Sequence, residues 1–229
     1  MMKLIFGTMV WLLACLQIRA QQILFRNYSV KDGLCSNTIW NIEQDEQGYM
    51  WFGTKNGLNR FNGYEFTTYQ FKKEDKHSIG NNFIHAICQF DNKTFWIGTE
   101  GGIYVLNLEN EKFSHLPIVG NDLVFDILRD RNGVMWVASG KSGIYSYDPI
   151  KNKTIQYRAE PGVQNRLSQN QVRTLAQDDS GRIWIGTFGE GIDVLDPSTH
   201  VFRHFKNGNA ADDLNSNRIM KIYKDLKGN

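Results

Sequence analysis

The phrase DEQGYMWFGTKNGL, from Asp45 to Leu58, occurs four times in this chain in recognisable form. It returns as DNKTFWIGTEGGI at Asp91, DRNGVMWVASGKSGI at Asp130 and DDSGRIWIGTFGEGI at Asp178. A motif that carries chemistry is normally used once. A phrase used four times therefore reads as architecture, and function has to be sought in what varies between the copies.

Aligned on Trp51, Trp96, Trp136 and Trp184, the copies are 45, 40 and 48 residues apart, a period that belongs to propellers or solenoids. Fourteen positions before each Trp stand Asn37, Asn82, Asp122 and Asn170, each followed by a β-rich run. An Asp-led turn then feeds the Trp strand, since Asp, Asn and Gly accept turn conformations at low cost. The turn at Asp91 is one residue shorter and lacks Gly. A Gly-bearing hairpin reverses the chain into a third strand (LNRF, IYVL, IYSY, IDVL), and a fourth follows (EFTTYQF, KFSHL, TIQY, VFRHF). Four short antiparallel strands per unit, with no helical period to compete, predict an all-β fold: a β-propeller of four-stranded antiparallel blades. The repeated Trp then fills the space between blades, and the repeated Asn or Asp bonds local backbone as the chain enters its first strand.

The expected organisation is a signal peptide over 1–20, then a partial propeller over 21–229: a closing outer strand at 21–35, blades at 36–71, 80–116, 121–157 and 168–206, and the start of a fifth blade at 215–229. The closing strand is read from the match between LFRNYSVKDGLCSNTIWNI and VFRHFKNGNAADDLNSNRIMKI, and an N-terminal strand that completes a last blade hides sheet edges. The reading is of a fragment, with four full blades between an orphan strand and a cut fifth blade.

MMKLIFGTMVWLLACLQIRAQQ has the charge, apolar run and small-residue site of an export signal, and the apolar run, Leu4 to Leu16, is shorter than a membrane span. LLAC also resembles a lipoprotein box, in which Cys15 would be lipidated, although Leu13 fits it poorly. Only Cys35 and Cys88 then remain, in an oxidising setting where a bridge or two thiols are both open readings. The net charge of +2, with both signs interspersed, argues against a nucleic-acid partner.

QDEQGYMWFGTKNGLNRFNG (Gln44 to Gly63) and QDDSGRIWIGTFGEGIDVLDP (Gln177 to Pro197) resemble the two-component regulator propeller repeat, with WVAS in the third blade as a departure from W-x-G-T. Together with the export signal and ILFRNYSVKDGLCSNTI, they resemble the N-terminal sensor portion of a hybrid two-component sensor histidine kinase and response regulator. The resemblance implies a periplasmic propeller, in a parent held in the inner membrane as a homodimer. It also implies an oligosaccharide ligand, and control of a downstream kinase and of glycan-utilisation genes. The remainder of the propeller and sensor would be its covalent partner. Two other classes remain open: a secreted glycosidase or lyase, and a structural or protein-binding propeller.

For an enzyme, no catalytic constellation stands out, and no metal site or cofactor is expected. His200 and His204 are about 13 Å apart if on one strand, too far to share a metal unaided. GTFGEG (Gly186 to Gly191) joins two strands and does not precede a helix, so it does not read as a phosphate cradle. The Asp-led turns lack the Ser of a sialidase Asp-box. The candidate ligand-binding residues are those that vary at the hairpin between second and third strands: Lys55, Asn56, Glu100, Lys141, Phe188 and Glu190. Polar groups beside an aromatic face suit a sugar, though solvation of a hairpin tip accounts for each of them as well.

Overall fold

The computed structural model describes residues 25–208 and 213–225. The export signal and Cys15 lie outside the described residues. Sixteen strands form four antiparallel sheets, each built from four strands consecutive in sequence. Blade 1 comprises β1 (Ile39–Gln44), β2 (Met50–Thr54), β3 (Gly57–Phe61) and β4 (Phe66–Tyr69). Blade 2 comprises β5 (Ile84–Gln89), β6 (Thr94–Thr99), β7 (Gly102–Asn107) and β8 (Lys112–Leu116). Blade 3 comprises β9 (Val124–Arg129), β10 (Met135–Ser139), β11 (Ile144–Asp148) and β12 (Lys153–Tyr157). Blade 4 comprises β13 (Val172–Gln177), β14 (Ile183–Thr187), β15 (Ile192–Asp196) and β16 (Val201–Phe205). The first strands β1, β5, β9 and β13 lie against one another in that order, so the sheets stack as propeller blades around a common centre.

A blade cannot bury its own faces, so the core is divided into layers between blades. Trp51, Leu58, Ile84, Phe95 and Leu106 fill the first layer. Trp96, Val124, Met135 and Val137 fill the second, and Trp136, Ile144, Val172, Ile183 and Leu195 the third. Trp51, Trp96 and Trp136 are at most 3% exposed, one in each layer. Trp184, on the last sheet, is partly exposed and lies parallel to Phe205 with ring centroids 6.0 Å apart.

The Asp-led turn and the Trp are one device. Trp51 Nε1 donates to Asp45 Oδ2 at 2.8 Å, and Trp136 and Trp184 donate to Asp130 and Asp178 at 3.0 Å. The other oxygen, Oδ1, accepts the backbone N–H groups of the turn, as Asp45 does from Gln47 and Tyr49. The buried indole N–H is thereby satisfied and the turn locked to the layer. In blade 2 the shorter turn places Asp91 five residues before Trp96 instead of six, and Asp91 Oδ1 instead accepts from Lys93 N and Thr94 Oγ1.

The rest of the repeated phrase is explained by close approach and by the hairpin. A Cβ on Gly98 would lie 2.7 Å from Val124 Cγ1, so the Gly of W-x-G-T is the notch that receives the next blade's first strand. The following hydroxyl staples the hairpin: Thr187 Oγ1 donates to Gly191 O at 2.8 Å and accepts from Glu190 N at 3.0 Å. Ser139 fills this role in WVAS by accepting from Lys141 N and Ser142 N, while its hydroxyl donates to Asp122. Asn37, Asn82 and Asn170 accept from Val30 N, Phe71 N and Ala159 N at 2.9, 2.7 and 2.8 Å, each tying the incoming link to the start of an inner strand. Adjacent blades are also joined by backbone: Gly57 N donates to Asn82 O, Gly143 N to Asn170 O and Gly191 N to Asn217 O, at 2.7, 2.9 and 2.8 Å.

The two end segments are paired into none of the four sheets. Residues Phe25 to Ser29 are not paired as a strand; Tyr28 instead packs edge-on against Phe61 and Phe66. A closing outer strand bonds to the third strand of a last blade, and each of the four blades here pairs its third strand with its own fourth. Residues 216–225 form no strand either, yet they lie along blade 4, where Ile219 N donates to Thr187 O at 3.0 Å.

Cys35 and Cys88 are both thiols. Burial pushes the Cys88 thiol up to about 12, with the charge of Glu43 adding to the effect, and burial also raises Cys35. At pH 8 only about one Cys88 in 10,000 is thiolate, the reactive form. A maleimide or disulfide reagent is thus expected to label Cys88 in the folded protein orders of magnitude more slowly than in denaturant. Equal rates in the two states would show that the site is open.

Candidate functional site

The first strands and the hairpins between second and third strands meet at one end of the channel, because each first strand begins where its neighbour β2, β6, β10 or β14 ends. Around this mouth the side chains one and three residues after the repeated Asn or Asp form an unbroken arc. Trp40 lies 5.9 Å from Phe83 and 5.5 Å from His85, centroid to centroid. Phe83 stacks on His85 at 4.6 Å, and His85 meets Phe125 edge-on at 5.3 Å. The Arg173 guanidinium then sits 4.1 Å over Phe125 and 4.7 Å over Phe188, and Arg218 sits 4.4 Å over the same Phe188 ring. Trp40 is half exposed, and Phe83, His85, Phe125, Arg173 and Phe188 are partly so.

Burial holds His85 below its usual value against the opposing pull of Glu100, whose Oε1 is 3.7 Å from His85 Nε2. At neutral pH the ring is therefore an uncharged aromatic member of the arc. Arg173 is lowered by burial and by the charge of Arg218. Deeper in the channel Asp126 accepts from Leu175 N and from Lys221 Nζ, both at 3.0 Å. Burial raises the Glu43 carboxyl and the Lys221 charge opposes this, so opposite sides of the channel act on each other electrostatically.

Of the hairpin residues singled out from sequence, Phe188 and Glu100 belong to this mouth. Glu190 is turned to Lys206, with Oε2 2.6 Å from Nζ. Asn56 uses its backbone carbonyl to accept from Gln70, and Lys55 and Lys141 are exposed hairpin tips. Sequence reasoning missed Trp40, Phe83, His85, Phe125, Arg173 and Arg218. The signal was present: the third position after the Asn or Asp reads Trp, His, Phe, Arg and Met across the copies, whereas the residue before it stays aliphatic. His200 and His204 are separately engaged, His200 Nδ1 with Tyr157 OH at 3.0 Å and His204 Nδ1 with Asp193 Oδ1 at 2.6 Å. Among the described residues no group of three His, Cys, Asp or Glu side chains is placed to hold a metal.

Repeat and fold together define a β-propeller domain. The family model described as Two component regulator propeller matches residues 33–56, 118–141 and 166–189. The extracellular domain of the hybrid two-component system BT3049 from B. thetaiotaomicron superposes with a TM-score of 0.74 at 27% identity, over 89% of this chain and 28% of that one. The extracellular domain of BT4673, a one-component system of the same organism, gives 0.62 at 24% identity, over 73% and 25%, and supports the fold. Histidine kinase P4 of Formosa agariphila is 34% identical over 77 residues, 33% of this chain and 6% of the kinase. The chain thus spans about a quarter of each structural relative and a small part of the kinase it matches.

Proposed function

We propose that this chain is the periplasmic ligand-sensing propeller of a two-component receptor, that it detects an oligosaccharide at the channel mouth, and that binding biases a downstream histidine kinase and the transcription of glycan-utilisation genes. The observation that carries this reading is the arc from Trp40 to Phe188. Its contiguous ring faces offer apolar contact to pyranose C–H groups, while Arg173, Arg218 and Glu100 supply directional hydrogen bonding for hydroxyls. The extracellular placement of the BT3049 and BT4673 domains supports the location. Signalling would be a population shift: ligand acts only as far as it prefers one arrangement of the receptor, here a homodimer joined to the rest of its own sensor.

Calorimetric titration of the protein with a panel of oligosaccharides tests the reading. Trp40→Ala and Phe125→Ala are expected to weaken the best ligand roughly tenfold or more, about 1.4 kcal/mol. Tyr64→Ala, 90% exposed and on the outer turn between β3 and β4, serves as the control that leaves affinity unchanged. Wild-type affinity in both arc variants would remove the mouth as the site.

A further inference from the structure

Arg173 and Arg218 approach the same Phe188 ring, and neither makes an ion pair among the described residues. Four other cations of this propeller are neutralised by a carboxylate: Arg60 by Glu111, Arg182 by Asp178, Lys206 by Glu190, Lys221 by Asp126. Arg173 Nε is buried and has no hydrogen-bond partner. Two like charges gathered on one ring, one of them with a desolvated and unsatisfied donor, are unfavourable until an acceptor arrives. The mouth is therefore built for an anion at one end and for ring faces at the other.

A separate cleft of the propeller offers no such site. It has a volume of about 650 Å³ and runs between the 159–170 link and β16. Its charges are already spent within the fold, with His204 on Asp193, Lys206 on Glu190 and Arg166 3.9 Å from Glu160.

We propose that the ligand is an acidic saccharide whose carboxylate or sulfate is held between Arg173 and Arg218, with its sugar ring laid along Phe125 toward Trp40. This rests on the oligosaccharide reading above and narrows it. A planar guanidinium presents paired N–H donors that match carboxylate or sulfate oxygens, and its stacking on Phe125 and Phe188 fixes the fork before the ligand binds. Glu100, at the His85 side of the arc, would repel a second acidic group there and so set the polarity of the chain.

Matched ligands test it. The protein is titrated with an oligogalacturonate, its neutral methyl ester, a sulfated galactan oligosaccharide and its desulfated form. At least tenfold tighter binding of one acidic member than of its neutral counterpart is expected, and which pair shows it separates carboxylate from sulfate. Arg218→Gln should abolish that preference. Because it also relieves like-charge repulsion, the variant should melt no lower than wild type without ligand, whereas a purely structural arginine would lower the melting temperature. Equal affinity for acidic and neutral members, with Arg218→Gln without effect, would overturn the anion site and leave the glycan reading standing. Binding of poly-glutamate but of no saccharide would overturn both.

Discussion

Trp136→Ala is expected to cost the domain about 3–5 kcal/mol, the usual consequence of emptying a buried large aromatic site. Trp136 is 2% exposed in the layer between blades 3 and 4, against Ile144, Val172 and Ile183. Its removal also strips Asp130 Oδ2 of the indole donor, leaving a largely buried carboxylate short of a partner. Denaturant unfolding followed by fluorescence of the remaining tryptophans measures the loss. Trp136→Phe separates the two contributions, since it keeps much of the volume and gives up the hydrogen bond, and should recover part of the stability. A loss below about 1 kcal/mol for the alanine variant would mean that the indole is not a packing element.

Gly191→Ala should be nearly as damaging although it adds one carbon. The residue has φ +84°, and a Cβ there would stand 2.1 Å from the Phe205 carbonyl oxygen, a backbone atom that cannot swing away. A non-glycine residue in that conformation costs about 1–2 kcal/mol before any clash, so a total of about 2–4 kcal/mol is expected. The strain falls on β15 and β16 and on the bond from Gly191 N to Asn217 O. Hydrogen exchange should show blade 4 opening first. Unchanged protection there would contradict the account. Gly48→Ala is the informative comparison, since its φ of +89° carries the same conformational cost with nothing within 4 Å of the added carbon.

The blades were legible because each copy repeats the same solution to the same packing problem: a Trp for the layer, a turn Asp and, in three of the four copies, a Gly notch beneath the next first strand. The pairing of that Asp with the indole was also within reach, since the spacing is six residues wherever the bond forms and five in blade 2, where it does not. The mouth was harder to read. Trp40, Phe83, Phe125 and Phe188 come from four blades and become neighbours only when first strands converge on a common centre. No linear spacing encodes that convergence. Hairpin variability pointed to Phe188 and Glu100, but drew in Glu190, whose charge is used on Lys206.

In blades 1, 3 and 4 the bond that ties the hairpin glycine to the next Asn carbonyl fixes where an inner strand begins, and the mouth residues follow one and three positions later on a frame that the bond has already placed. What a blade displays to a ligand is consequently separable from what makes it a blade. A mutation at residue 40, 85, 125 or 173 changes what the mouth presents without touching the notch, the staple or the turn. Duplication of such a unit supplies a new mouth position already in register. Lineages facing changing mixtures of ligands can revise their receptors of this design one blade at a time, and the penalty of each trial falls on affinity and spares folding.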